Sequence, residues 1–507
     1  MTTRSTMDDR QSLLGSNTDD EMEKMQKKDE YNTEYNQQER PKRESKVSWI
    51  LFITTLSVSL GCSVPAGYNI GVVNAPSEIL KQWCNDTILF RYAVELTKPQ
   101  LDVLWSVLVS VFLIGGIIGG AAGGNLADKF GRKGALRLTY FLNLLSGISF
   151  LCCKPVALVE LFFLARLIAG LSAGLTMAMV PMYLLEIAPM NTEGIFGVIF
   201  TVGLNFGVVL SQFLGLENLL GTEQLWPYLF SLFAGLVLVV LPVLPFVPES
   251  PKYLYTVCNN YRRALIELSH LRGKPESEIS WELGKLVVSS EIWTLRKVLN
   301  DPINRKALLI TCVIMLGQQL SGINAIFYYS TSIYINAGLS TVGAQYGNLG
   351  AGLINFIVTV LSTVFINNFG RKTLLIFSCI ACVFMLTGLM TFMVLSSAGT
   401  ITGLSFLSVF FIIGYVLFYG IGIGPIPFFI GSELVDVGPR PIIMAANSVA
   451  NWSGNFLVGL TFPIISLALK EFSFLPFIGC TIFLIIFTWK CVPETRVTTE
   501  VETIEPK

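Results

Sequence analysis

Asp128-Lys-Phe-Gly-Arg-Lys133 and Asn367-Asn-Phe-Gly-Arg-Lys372 are nearly the same phrase, one in each half of the chain, and long apolar runs flank both. A short basic turn between two apolar runs joins consecutive membrane helices at one bilayer surface. Its return implies a duplicated bundle, the architecture of carriers that open a central site to one side at a time. Further features recur in the same order. Glu186 closes Pro181-Met-Tyr-Leu-Leu-Glu186 and Glu433 closes Phe429-Ile-Gly-Ser-Glu433, while Pro248-Glu-Ser250 is matched by Pro493-Glu-Thr495. Arg132 and Arg371 have Glu186 and Glu433 as natural partners, with Asp128, Glu249 and Glu494 completing the charged set. Arg–carboxylate pairs there are expected to form a gate that holds the halves together in one state and releases them in the other. The plainer reading is a row of topology anchors snorkelling at the interface.

Composition agrees with a membrane class. The chain has 507 residues, 52% of them hydrophobic and 14% charged, with a mean hydropathy of +0.61. Its 35 basic and 35 acidic residues cancel and lie in tails and loops, which argues against a nucleic-acid partner. Ten cysteines include Cys62, Cys312, Cys379, Cys382 and Cys480 inside apolar runs, spaced for neither a disulfide framework nor a metal site. No nucleophile–base constellation or metal-ligand cluster points to an enzyme, and no cofactor is implied.

The expected fold is an all-α membrane protein of twelve transmembrane helices in two pseudo-symmetric six-helix bundles, with linker helices between them. Spans 1 to 6 are read at about 48–72, 101–125, 135–153, 156–182, 194–216 and 226–247. Spans 7 to 12 are read at about 304–334, 343–366, 373–396, 402–432, 439–466 and 474–492. The domains are then a disordered tail at 1–47, a first bundle at 48–247, a polar linker with short amphipathic helices at 248–303, a second bundle at 304–492 and a tail at 493–507. Lys and Arg cluster before span 1, between spans 2 and 3 and between spans 8 and 9, which puts both termini and the linker in the cytoplasm. The loop after span 1 is then external, so its sequon Asn85-Asp-Thr87 is expected to carry glycan. Asp9-Arg-Gln-Ser-Leu13-Leu14 fits an acidic dileucine pattern that sorting adaptors read, so plasma membrane with endosomal cycling is the expected location.

Amides inside the apolar spans point to the cargo. Span 7 holds Gln318, Gln319 and Asn324, span 8 holds Asn355, and span 11 holds Asn451, Trp452 and Asn455. A buried amide is costly in a bilayer unless protein, water or ligand pairs it. Amides donate and accept as sugar hydroxyls do, and an aromatic ring covers the C–H face of a pyranose. A neutral, hydroxyl-rich solute fits, although any single amide also serves as interhelical glue. In span 10, Gly420, Gly422, Gly424, Pro425 and Pro427 preclude a regular helix and are expected to form a hinge.

These motifs, with Gly124-Asn-Leu-Ala-Asp128, Pro248-Glu-Ser-Pro-Lys252, Gln318-Gln-Leu-Ser-Gly-Ile-Asn324, Gly424-Pro-Ile-Pro427, Gly438-Pro-Arg440 and Asn451-Trp452, resemble the sugar porter branch of the major facilitator superfamily. Within it, the chain is similar to the animal facilitative hexose transporters over nearly all of 48–496. The resemblance implies sugar contacts at Gln318, Gln319, Asn324, Asn355 and Asn455. It also implies facilitated diffusion, because Asn69 stands where proton-coupled relatives have Asp; Arg166 stands where those relatives have part of a proton switch. Arg166 either pairs with a neighbouring polar group or lies near the membrane edge. Several positions depart from the family pattern: Thr201 for a sugar-binding Gln, Gly420 for a Glu, Phe428 for a Trp and Met315-Leu-Gly317 for Gln-Leu-Ser. The last looks like the fructose-transporting branch, whereas Asn451 and Ser330-Thr-Ser-Ile333 look like the glucose branch. Glu193 stands where the family usually has Arg in the loop after span 4, and Asn367 where it has an acidic residue in the second turn. The leading expectation is a hexose uniporter taking D-glucose; a fructose-preferring uniporter, a non-transporting sugar sensor and a proton-coupled symporter are the alternatives.

Overall fold

The computed structural model describes residues 48–74, 76–189, 192–284, 293–336, 339–397 and 406–495, and every regular element among them is helical. Nine of these helices are long and apolar enough to cross a bilayer. One of them, Lys98–Cys153, has 56 residues, more than twice what a hydrocarbon core of about 30 Å accommodates. It is spans 2 and 3 end to end, broken at Gly131, whose φ of 76° and ψ of 169° only glycine adopts readily. The bent pair Arg440–Phe462 and Ile464–Phe472 supplies span 11, and the shorter apolar helix Leu475–Cys491 is span 12. The total is twelve.

Caps place the entries. Ser48, Asp301 and Ser340 each accept a backbone N–H three residues on, at Leu51, Asn304 and Gly343, and so start spans 1, 7 and 8. Ser48 Oγ also donates to Leu271 O at 2.6 Å, which ties span 1 to the linker helix Tyr261–Arg272. Arg272 in turn donates to Ile187 O and Ala188 O, the free carbonyls at the end of span 4. The linker thus sits on the first bundle at the end that carries the basic turns. The loop after span 1, with no span assigned to it from sequence, contains a further helix, Ser77–Tyr92. Its charges outnumber what lipid tolerates, and its Lys81 pairs with Glu78 and with Asp102 at the start of span 2.

Within the first bundle, spans 2 and 4 approach backbone to backbone. A Cβ on Gly119 would lie 2.1 Å from Leu171 O, and one on Gly174 would lie 2.0 Å from Gly116 O. Such contact is how membrane helices gain packing energy without a hydrophobic driving force. The two bundles meet along two seams. Span 2 lies against span 11, where Cβ atoms on Gly120 and Gly124 would each come 2.5 Å from Ser448 Oγ and Pro441 O. Span 5 lies against span 8, where Asn205 Nδ2 donates to Thr359 Oγ1 at 2.8 Å. The first seam occupies the half of the bundle nearer the basic turns.

Gly131 also makes room for a carboxylate, since a Cβ there would come 2.4 Å from Glu249 Oε2. Gly131→Ala therefore carries both backbone strain and a steric clash, a cost of about 1–3 kcal/mol. Thermal unfolding in detergent is expected to show a lowered midpoint, and an unchanged midpoint would contradict the assignment.

Candidate functional site

The basic turns fold into two matching clamps. Arg132 Nε and Nη2 each donate to Glu186 at 3.0 Å, and Nη1 donates to Asp128 Oδ1 at 3.2 Å. The Glu249 carboxylate accepts the backbone N–H groups of Arg132, Lys133 and Ser250 at 2.9–3.2 Å. In the second bundle Arg371 Nε and Nη2 donate to Glu433 at 3.2 and 2.9 Å, and Glu494 accepts from the backbone of Arg371, Lys372 and Thr495. Every pair lies within one bundle. Each arginine and its glutamate close the ends of helices in the same half, so the pairs themselves do not bridge the two bundles. The charged link between bundles is Arg440, whose Nη1 lies 3.9 Å from Glu186 Oε1. It stands in the quoted Gly438-Pro-Arg440 stretch, but nothing in that stretch identifies its partner. Glu193 pairs with Lys252 at 3.0 Å, while the side chain of Asn367 lies outside the described residues.

Between the bundles lies a cavity with about 80 Å³ of space for the centres of water-sized groups. Spans 1, 5, 7, 8, 10 and 11 all contribute to its wall. Gln319, Asn324, Asn355, Asn451 and Asn455 line it together with Thr201, Phe428, Trp452 and Tyr419, and Asn74, Asn205 and Gln212 extend it toward the end away from the basic turns. Aromatic support is ordered: Trp452 packs edge-on against Phe112 at 5.4 Å and Phe428 against Phe200 at 5.1 Å. Gln319 Oε1 accepts from Asn324 Nδ2. Several buried polar atoms in the wall have no hydrogen-bond partner, among them Thr201 Oγ1, Asn355 Oδ1 and Trp452 Nε1. Each costs about 1–3 kcal/mol if left so, which marks the cavity as a place for water or a hydroxyl-rich solute.

A family model described as "Sugar (and other) transporter" matches residues 54–505. Human solute carrier family 2, facilitated glucose transporter member 4 is 36% identical over 465 residues, covering 89% of this chain and 90% of its own. Chicken facilitated glucose transporter member 1 is 34% identical over 460 residues, covering 89% and 92%. The chain belongs to the sugar transporter family. Solved structures share its fold. The major facilitator proton:xylose symporter XylE bound to 6-bromo-6-deoxy-D-glucose superposes with a TM-score of 0.73 at 24% identity, covering 89% of this chain and 98% of its own. A partially occluded inward-open form of XylE from E. coli gives 0.69 at 25%, covering 89% and 100%.

In this sugar transporter the structure separates Gln318 from the other expected contacts. Gln318 is fully buried and does not line the cavity. Its Nε2 donates to Ile423 O and Gly424 O at 2.9 and 2.8 Å, and its Oε1 accepts from Asn451 Nδ2 at 2.6 Å. The reason is the break in span 10 between the helices Phe406–Ile421 and Ile426–Glu433. Pro427 has no N–H for Ile423 O, and Phe428 N turns to Pro425 O at 3.3 Å, which frees Gly424 O. Gln318 caps both orphaned carbonyls, while Ser378 Oγ from span 9 accepts Ile423 N at 3.1 Å. Gly420, Gly422 and Pro425 sit at this same break. Asn69 and Arg166 lie together behind the cavity: Arg166 Nη1 donates to Asn69 O at 2.8 Å and its guanidinium stacks on Phe112 at 4.4 Å. Arg166 therefore pairs with a neighbouring polar group rather than lying at the membrane edge. Asn85 lies within Ser77–Tyr92, its Oδ1 accepting Leu96 N. Leu13 and Leu14 lie outside the described residues.

The rule that picked the span 7 amides, a polar side chain inside an apolar run, also applies to Asn205 and Gln212. Both line the cavity, and an amide inside the apolar run of span 5 is the signal that marks them in the sequence.

Arg132→Ala strands the buried Glu186 carboxylate, which costs about 3–5 kcal/mol; little folded protein is expected on size-exclusion chromatography. Arg440→Ala leaves the Arg132–Glu186 clamp intact, so it should fold while amide exchange accelerates at 440–448 and 174–188. Equal behaviour of the two variants would contradict the division into clamp and link.

Proposed function

We propose that this protein carries a neutral hexose, D-glucose in preference to D-fructose, down its own concentration gradient by alternating access. The observation that carries this reading is an amide- and aromatic-lined cavity between two bundles, with buried polar atoms at Thr201, Asn355 and Trp452 left without protein partners. None of the lining side chains is acidic among the described residues, and an intramembrane carboxylate is the usual proton relay. Asn69 instead supplies a neutral side chain whose backbone carbonyl holds Arg166, which supports uniport. The facilitated glucose transporters at 34–36% identity support the same substrate class.

On this reading Gln319, Asn324, Asn355, Asn451 and Asn455 face the sugar hydroxyls and Trp452 and Phe428 its apolar face. Gln318 sets the shape of the site by fixing the span 10 break that serves as hinge. The clamp residues keep each half rigid, Arg440 and Glu186 fasten the basic end, and the cavity opens away from it. The basic end is cytoplasmic with both termini, Asn85 carries glycan on the outer side, and the protein works in the plasma membrane with sorting adaptors at Leu13 and Leu14. The unit of motion is each bundle, 48–247 and 304–492, joined by 248–303 and flanked by tails at 1–47 and 493–507.

Proteoliposomes should take up D-glucose but not L-glucose, at a rate unchanged by a proton uncoupler, with D-fructose slower. Absence of stereoselective flux removes the carrier reading, and flux abolished by the uncoupler removes uniport. Asn355→Ala removes a hydrogen bond worth about 1 kcal/mol and should raise the KM for D-glucose about fivefold. Gln318→Ala should lower the maximal rate more than it raises KM, because it releases the two span 10 carbonyls.

A further inference from the structure

Span 5 turns one polar stripe toward the cavity. Thr201, Asn205 and Gln212 all line it, at spacings of four and seven residues that return to the same helix face. From Thr201 to Gln212 the stripe runs about 16 Å along the helix axis, longer than one pyranose ring. Asn205 is spent on Thr359 across the seam with span 8. Gln212 is not spent: it is 7% exposed, and neither Nε2 nor Oε1 has a hydrogen-bond partner. Its seat is Gly352 of span 8, where a Cβ would come 2.2 Å from Gln212 Oε1. An amide that both donates and accepts is thus held between the two bundles, at the end of the cavity away from the basic turns, with both polar atoms unpaired.

We infer that Gln212 is a sugar-contacting, specificity-determining residue, forming with Asn74 a polar subsite at the end of the cavity away from the basic turns that binds a hydroxyl of the solute. This rests on the hexose reading above. The chemistry favours it over a purely structural amide, because interhelical glue is paired with its neighbour helix and Gln212 has no such pairing. A glutamine left unpartnered in a membrane interior destabilises the empty protein, so its presence is explained by a partner that arrives with the cargo. Gly352 has the matching role: with no side chain, it leaves room for the amide at the seam.

The test uses the full-length protein purified in detergent, with D-glucose and the series of its monodeoxy analogues. Gln212→Met keeps the length of the side chain and removes both polar atoms. The D-glucose Kd should rise about fivefold, while the melting temperature without sugar stays level or increases. For one deoxy analogue, the affinity penalty seen in the wild type should vanish in Gln212→Met, the coupling expected of a direct contact. Gly352→Ala pushes the amide from its seat and should reproduce the rise in Kd. If every deoxy penalty survives in Gln212→Met, or its sugar-free melting temperature falls with Kd unchanged, Gln212 is structural and the inference is overturned. Stereoselective binding by the wild type in that case would leave the hexose reading standing; its absence would remove both.

Discussion

A polar group in hydrocarbon has no water to fall back on, and this constraint organises the whole molecule. It makes every described element a helix and decides what surrounds each place where a helix departs from regularity. Span 1 contains a π turn, Ser59–Ser63, and span 3 reaches across to it: Tyr140 OH donates to Ser57 O at 2.6 Å and Asn143 Nδ2 to Gly61 O at 3.0 Å. Span 10 breaks at Gly424 and Pro425, and Gln318 and Ser378 provide the missing partners. Arg166, a cation buried in the first bundle, is covered by a carbonyl and an aromatic face. Unpaired buried polar atoms occur elsewhere too, at Trp226, Tyr334 and Thr488 for example, but those at Thr201, Gln212, Asn355 and Trp452 gather around one cavity.

The duplicated clamps and the bundle interface divide the mechanical work. Bidentate Arg–Glu pairs reinforced by backbone N–H groups are among the strongest polar contacts available, and both sit inside a bundle. Contacts between bundles are of a weaker kind: glycine faces against span 11, single hydroxyl hydrogen bonds such as Ser448 Oγ to Gly174 O at 3.2 Å, and Arg440 at 3.9 Å from Glu186. This division suits the alternating access proposed above, in which each half stays intact while the halves separate. Glu186 couples the two levels, since one carboxylate serves both Arg132 in its own bundle and Arg440 in the other.

Much of this was legible in the sequence, because hydropathy and repeated motifs report directly on bilayer crossing and duplication. The twelve spans, the paired turns and the amide-rich interior follow from those signals. What the sequence did not disclose was which neighbour most of the buried amides meet. Gln318 and Gln319 are adjacent residues of one type, yet they point about 100° apart around the helix, so one caps span 10 and the other lines the cavity. The partners of Arg132 and Arg371 were readable from the duplicated motifs, and Glu186 and Glu433 do pair with them; that Arg440 of the second half shares the Glu186 carboxylate is a fact of tertiary packing with no local sign. Asn205 and Gln212 carried the same signal as the chosen amides, and their spacing along one face of span 5 was readable.

The central claim is that the unpaired polar atoms of the cavity find their partners in a sugar. Calorimetric titration of the purified protein with D-glucose and L-glucose tests it most directly. Saturable D-glucose binding at a roughly millimolar Kd, about −4 kcal/mol, with L-glucose inert, is the predicted result. Equal heats for the two enantiomers, or none for either, would contradict it.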